Sequence, residues 1–130
     1  MRITMLQAKI HRATVTAADL HYEGSLSLDT ALMDAAGMRP YQRIEVYNVN
    51  NGARFATYLI EAERHSGTIQ INGAAAHLAN PGDLVIIATY AEMEPIEAEG
   101  WQPTKVFVAA QNRIVAAPLP ANQPRVLSPA

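Results

Sequence analysis

Arg43-Ile44-Glu45-Val46-Tyr47-Asn48-Val49, then Asn51-Gly52, then Ala53-Arg54-Phe55-Ala56-Thr57-Tyr58-Leu59-Ile60-Glu61 is the stretch that decides the fold class. Apolar and polar residues alternate on both sides with the two-residue period of a half-buried strand, and Asn-Gly is a strong turn signal between such runs. The pattern predicts a hairpin whose second arm runs from Ala53 to Arg64. Alternation puts Arg54, Ala56, Tyr58 and Ile60 on one face of that arm and Phe55, Thr57, Leu59 and Glu61 on the other. Arg54 and Tyr58 therefore point the same way, about 13 Å apart at Cα in an ideal strand.

Downstream, His65-Ser66-Gly67 reads as a second turn and Thr68 to Asn72 as its second-arm strand, entering the small residues Gly73-Ala74-Ala75-Ala76-His77. A short helix there would leave the N–H groups of Gly73, Ala74 and Ala75 uncovered and able to reach a carboxylate. Asn72 is either its N-cap or a residue of a site, and His77 a partly buried helix residue. Asn80-Pro81-Gly82-Asp83 is a turn, and the apolar run Leu84 to Tyr90 fits a central strand covered on both faces. The order short helix, Gly/Pro turn, strand also occurs in Ala31 to Val49, which suggests two related halves in one barrel. Glu92, Glu94, Glu97 and Glu99 suggest a solvated loop, and Lys105 to Val108 and Arg113 to Val115 suggest edge strands. A single domain over 1–117 is expected, followed by a loosely ordered tail, 118–130, with four prolines.

Upstream, Ile3 to Thr16 alternates loosely, with Lys9 and His11 on one face and about 7 Å apart. In Ser27 to Gly37, Leu28, Leu32 and Met33 keep helical spacing, Ser27 or Asp29 can cap the start, and Gly37 suits a left-handed end. Such a helix would set its N-terminal dipole behind Gly24. Gly24-Ser25 itself offers a reaction. Glycine opens backbone conformations closed to other residues, and the Ser25 hydroxyl can attack the preceding carbonyl. The amide becomes an ester; elimination and hydrolysis then free Gly24 as a carboxyl terminus and leave a pyruvoyl group at position 25. In other surroundings the same residues form an ordinary surface turn, so the neighbouring blocks decide.

At 130 residues the chain can bury a core without metal or disulfide staples, and it has no cysteine. A net charge of −2 gives no basic field for nucleic acid or an anionic membrane. The start Met1-Arg2-Ile3-Thr4 carries no secretory apolar core, and the longest apolar run is too short to span a bilayer, so a cytoplasmic protein acting on a small molecule is expected. His11, His21, His65 and His77 lack the spacing of a metal site.

Four blocks occur in a telling order: Met5-Leu6-Gln7-Ala8-Lys9-Ile10-His11-Arg12, Ala18-Asp19-Leu20-His21-Tyr22-Glu23-Gly24-Ser25, Asn51-Gly52-Ala53-Arg54-Phe55-Ala56-Thr57-Tyr58 and Ile71-Asn72-Gly73-Ala74-Ala75-Ala76-His77. Over residues 1–90 the chain resembles the aspartate 1-decarboxylase family. The resemblance implies an all-β fold, a six-stranded double-psi β-barrel with short helices. It implies self-cleavage between Gly24 and Ser25, with decarboxylation of L-aspartate to β-alanine and carbon dioxide for pantothenate synthesis. The pyruvoyl group from Ser25 would be the cofactor, with no metal and no pyridoxal phosphate. Tyr58 would be the proton donor, and Thr57 would support cleavage and contact substrate. Lys9, Arg54, Asn72, Gly73, Ala74 and Ala75 would bind substrate, with Tyr22 and His11 in support. A homotetramer with sites between subunits, and an activating protein for cleavage, are implied as partners. Because alternation turns Thr57 away from Tyr58, a bulge or strong twist is expected between them. Tyr47 replaces the family's usual tryptophan, and Leu26 a smaller residue or cysteine. The competing expectation is an uncut double-psi barrel that binds an anionic metabolite or a protein.

Overall fold

The computed structural model describes residues 1–117; the tail expected over 118–130 lies outside the described residues. The N-terminal run forms β1 (Ile3–Thr14), and two register shifts explain its loose alternation. Between Ile10, paired with Ile87, and Ala13, paired with Val85, one extra residue is accommodated with Arg12 at φ 55°. The bulge changes the phase of the pleat, so that Ile10, Ala13 and Val15 all point inward with no exposed surface.

The remaining strands are β2 (Ala17–Asp19), β3 (Ser25–Asp29), β4 (Arg43–Asn48), β5 (Arg54–Ala62), β6 (Ile69–Asn72), β7 (Leu84–Met93), β8 (Thr104–Val108) and β9 (Ile114–Val115). They hydrogen-bond in the order β2-β6-β3-β5-β4-β7-β1-β8-β9. Only Val15 and Thr16 separate β1 from β2, yet the two stand far apart in that order, so the sheet curls back on itself. Thr16 makes the seam: its N–H donates to the Ile69 carbonyl at 2.8 Å, and its Oγ1 accepts from the Ile69 N–H at 2.9 Å. With β1 and β2 counted as one strand, the ring is β1/β2, β7, β4, β5, β3, β6, a closed six-stranded barrel of the double-psi type. β8 and β9 form a ribbon laid along β1.

β3 runs parallel to β5 and antiparallel to β6, and so lies between them. The turn at His65-Ser66-Gly67 therefore does not close a hairpin: the strand after it is held away from β5 by β3. The Asn51-Gly52 hairpin is present, with β4 and β5 paired from Arg43↔Tyr58 to Tyr47↔Arg54. The two-halves expectation also holds, since β3, a helix and β4 are echoed by β6, a 3₁₀ turn (Gly73–His77) and β7. Leu26, Leu28, Ile44, Val46, Leu59, Ile69, Ile71, Val85 and Ile87, each fully buried, fill the interior.

α1 (Thr30–Ala36) starts later than Ser27. The Asp29 side chain accepts from the Ala31 N–H, and Gly37 ends the helix at φ 69°. Leu28 is thus a barrel residue of β3, and a whole strand separates the helix start from Gly24, so the helix dipole does not act there. The acidic stretch is solvated, as expected, but only part of it is loop. Glu92 belongs to β7, and Glu94 with Glu97 forms a reciprocal capping box at α2 (Pro95–Ala98). The expected edge strands are β8 and β9.

Candidate active site

Ser25 opens β3 and is only 1% exposed, although Tyr22, Glu23 and Gly24 before it are exposed. Its hydroxyl donates to the Glu23 carbonyl at 2.9 Å, and its oxygen accepts from Asn72 Nδ2 at 3.0 Å. A carbonyl can only accept, so the hydroxyl proton is committed and Asn72 must present its nitrogen. The same nitrogen donates to Ser27 Oγ at 3.0 Å, and Asn72 Oδ1 accepts from Gln70 Nε2 at 2.8 Å. Strand pairing assembles this network. Ser25 lies opposite Asn72, and Ser27 opposite Gln70, across β3 and β6. Asn72 does occupy the position before the 3₁₀ turn, but its side chain makes no capping bond. The commoner role of such an asparagine is not the one it plays.

Gly73 explains why a glycine follows. Its φ is +77°, and a Cβ there would stand 2.7 Å from Gly24 Cα, 3.0 Å from Gly24 N and 3.3 Å from the Tyr22 carbonyl oxygen. Gly24 itself needs neither a left-handed backbone nor extra room: its φ is not positive, and a Cβ would meet nothing within 4 Å. The conformational demand expected at Gly24 falls on Gly73. Ala74 is exposed, Ala75 half-buried, and His77 exposed rather than partly buried.

β5 flanks β3 on its other side, with Leu26 paired to Leu59. Ser25 and Tyr58, each one residue earlier, share the outward face. The Tyr58 ring lies 6.4 Å from that of Tyr41. Thr57, opposite the buried Ile44, points inward, and the β4–β5 pairing runs without a shift. The expected bulge between Thr57 and Tyr58 is absent from it.

A second group lies on the outward face further round the barrel. Lys9 pairs with Ala88 in β7, Ala88 with Glu45 in β4, and Glu45 with Ala56 in β5, a row that also carries Lys105 beside Lys9. His11 meets the Phe107 ring edge to face at 5.9 Å, on the same side of β1 as Lys9. Tyr47 faces Arg54 across β4 and β5, with the guanidinium carbon 3.8 Å above its ring centre. The Tyr47 and Tyr90 hydroxyls are 2.7 Å apart. Burial, and next the bond to Tyr90, push the Tyr47 phenol up to about 12. It stays neutral at ordinary pH.

One chain therefore brings Ser25, Asn72, Gly73 and Tyr58 together, and Arg54, Tyr47 and Tyr90 together. It does not bring Lys9 level with Ser25: across Asn72 of β6, the residue of the β1/β2 strand abreast of Ser25 is Asp19, well along the chain from Lys9. The sequence marks Ser27 only as a candidate helix cap and assigns no role to Gln70 or Tyr90. The two-residue period from Ser25 and Asn72 points to the first two, whereas nothing local points to Tyr90. A cleft of about 390 Å³, lined by Asp29, Leu32, His65, Asn112, Arg113 and Ile114 among others, contains none of the residues expected to act. Among the described residues no group of three or more His, Asp or Glu side chains could hold a metal ion, and no helix is long and apolar enough to cross a membrane.

The closed six-stranded ring defines a double-psi barrel with a buried Ser-Asn pair at its β3–β6 pairing. The chain belongs to the aspartate decarboxylase family, whose sequence model, described as "Aspartate decarboxylase", matches residues 1–115. It is 58% identical over 114 residues to the aspartate 1-decarboxylase of Syntrophus aciditrophicus, covering 88% of this chain and 98% of that one. The enzyme of the same name from Chloroherpeton thalassium is 58% identical over 113 residues (87% and 83%), and that of Maricaulis maris 54% over 118 (91% and 98%). By name, these relatives are carboxy-lyases.

Proposed function

We propose that residues 1–117 form a catalytic domain that cuts itself between Gly24 and Ser25 and then removes the C1 carboxylate of L-aspartate, giving β-alanine for pantothenate synthesis in the cytoplasm. The observation that carries this is the Ser25 hydroxyl, buried and held by Asn72 one residue from an exposed glycine. Attack by Oγ forms a bond to the Gly24 carbonyl carbon and breaks its bond to the Ser25 nitrogen, which takes the hydroxyl proton. Loss of the Ser25 Cα proton then breaks the Cβ–Oγ bond, releasing the Gly24 carboxylate. Hydrolysis of the dehydroalanine expels ammonia and leaves a pyruvoyl group.

Residue 25 and its surroundings fit that group. Asn72 Nδ2, which donates to an oxygen of residue 25, can donate to a carbonyl oxygen there, and Gly73 leaves room beside it. The pyruvoyl group supplies a carbonyl that takes the substrate amine and accepts electrons as carbon dioxide leaves. The remaining roles belong to side chains and backbone. Arg54 offers a planar fork and Lys9 a point charge to the two carboxylates, with the N–H groups of Gly73, Ala74 and Ala75 as further donors. Tyr58, on the outward face with Ser25, returns a proton to carbon. The β3–β5 register, continued back two places from Leu26 and Leu59, sets Thr57 abreast of Gly24, where it supports cleavage from inside and later contacts substrate. Tyr22 walls the site and His11 supports Lys9.

The register that sets Asp19, not Lys9, abreast of Ser25 supports a homotetramer in which neighbours complete each site. An activating protein for the cut would act on the exposed turn Leu20 to Gly24. Aspartate labelled at C1 or at C4 tests the reaction: label should leave as carbon dioxide from C1 alone. Release from C4 would overturn the assignment.

A further inference from the structure

We propose that Tyr90 is a positioning residue for substrate binding: its hydroxyl fixes the Tyr47 ring, and that ring fixes the Arg54 guanidinium. This rests on Arg54 being the carboxylate fork proposed above.

Arg54 begins β5 on the outward face and is exposed, so nothing in its own strand limits the rotamers of its long side chain. Among the described residues no carboxylate forms an ion pair with it; the two ion pairs there are Arg2–Glu94 and Arg64–Asp34. What holds it is the Tyr47 face, directly opposite in β4. The Tyr47 ring attracts the guanidinium through its face and its hydroxyl takes a hydrogen bond from it, which leaves the other N–H donors of the fork available for a carboxylate. A carboxylate partner would have competed with substrate.

The platform must itself be fixed. Tyr47 is half-buried on an outward face and Tyr90 is 40% exposed, so packing alone does not fix either ring. The 2.7 Å contact between the two hydroxyls ties β4 to β7 through their side chains, and either hydroxyl can donate. A tryptophan at position 47 would present a larger face to Arg54 and has no hydroxyl for Tyr90 to hold.

The test uses the mature enzyme and reads two quantities, KM against kcat for aspartate and the Kd of succinate, a dicarboxylate without the reacting amine. Tyr90→Phe should raise both KM and the succinate Kd about 3- to 10-fold, the value of one hydrogen bond, with kcat and the extent of cleavage unchanged. In a Tyr47→Trp background, Tyr90→Phe should change neither constant. An unaltered succinate Kd in Tyr90→Phe, or an equal rise in both backgrounds, would overturn the inference while leaving the carboxylate fork intact. Arg54→Met separates the two claims: a succinate Kd unaffected by it removes Arg54 from the site and the inference with it.

Discussion

A Cβ placed on Gly73 would stand 2.7 Å from Gly24 Cα, so the residue after Asn72 is pressed against the glycine whose carbonyl is proposed to be attacked. Gly24 has open space around its own Cα and an ordinary φ. The two glycines should therefore respond differently to a methyl group. Gly73→Ala adds both a left-handed backbone penalty of about 1 to 2 kcal/mol and an overlap with backbone that cannot turn aside. Thermal unfolding of the uncut protein should show a marked drop in Tm for Gly73→Ala and almost none for Gly24→Ala. Equal Tm values would mean that the contact is not a constraint.

Asp29 should be among the most sensitive positions for stability. Its buried carboxylate accepts from the Ala31 and His65 N–H groups at 2.8 and 2.9 Å and from the Gly67 N–H at 2.9 Å, joining β3, α1 and the turn before β6. Asp29→Ala leaves three backbone donors without this acceptor and should cost about 3 kcal/mol or more, measured by urea unfolding. A loss below about 1 kcal/mol would show that water replaces the carboxylate there.

Tyr47 makes stability depend on pH in the alkaline range. Its phenol is raised from 10.0 to about 12, chiefly by burial and then by Tyr90, with Glu45 adding to the rise and Arg54 opposing it. A group with a raised folded pKa binds its proton more tightly when folded. Its contribution is therefore complete below pH 10 and is lost as the pH climbs through about 12. The stability difference between the wild type and Tyr47→Phe should be constant below pH 10 and shift against the wild type above it. A difference that stays flat to pH 12 would contradict the raised value.

The hairpin at Asn51-Gly52 was legible because period and turn chemistry are local. So was the face shared by Arg54 and Tyr58. Long-range order was not: nothing in residues 65–72 says that β3 will lie between β5 and β6, since strand order depends on which segment fills the gap. Leu28 shows a second limit. It is apolar at a helical spacing from Leu32, yet the spacing is shared by a strand residue that ends just before Asp29 caps the helix. The reactive pair was legible only through the likeness of four separated blocks. Its partners Ser27 and Gln70 follow from the pleat once the β3–β6 pairing is known, and Tyr90, 43 positions from Tyr47, does not follow from any local pattern.

Intact mass of the purified protein, followed by hydride reduction in the presence of aspartate, tests the self-made cofactor most directly. Two chains should be found, Met1 to Gly24 and a blocked fragment from position 25, and reduction should fix aspartate onto the second. An enzyme that turns over aspartate as one uncut chain, with serine still at 25 and no adduct after reduction, would contradict it.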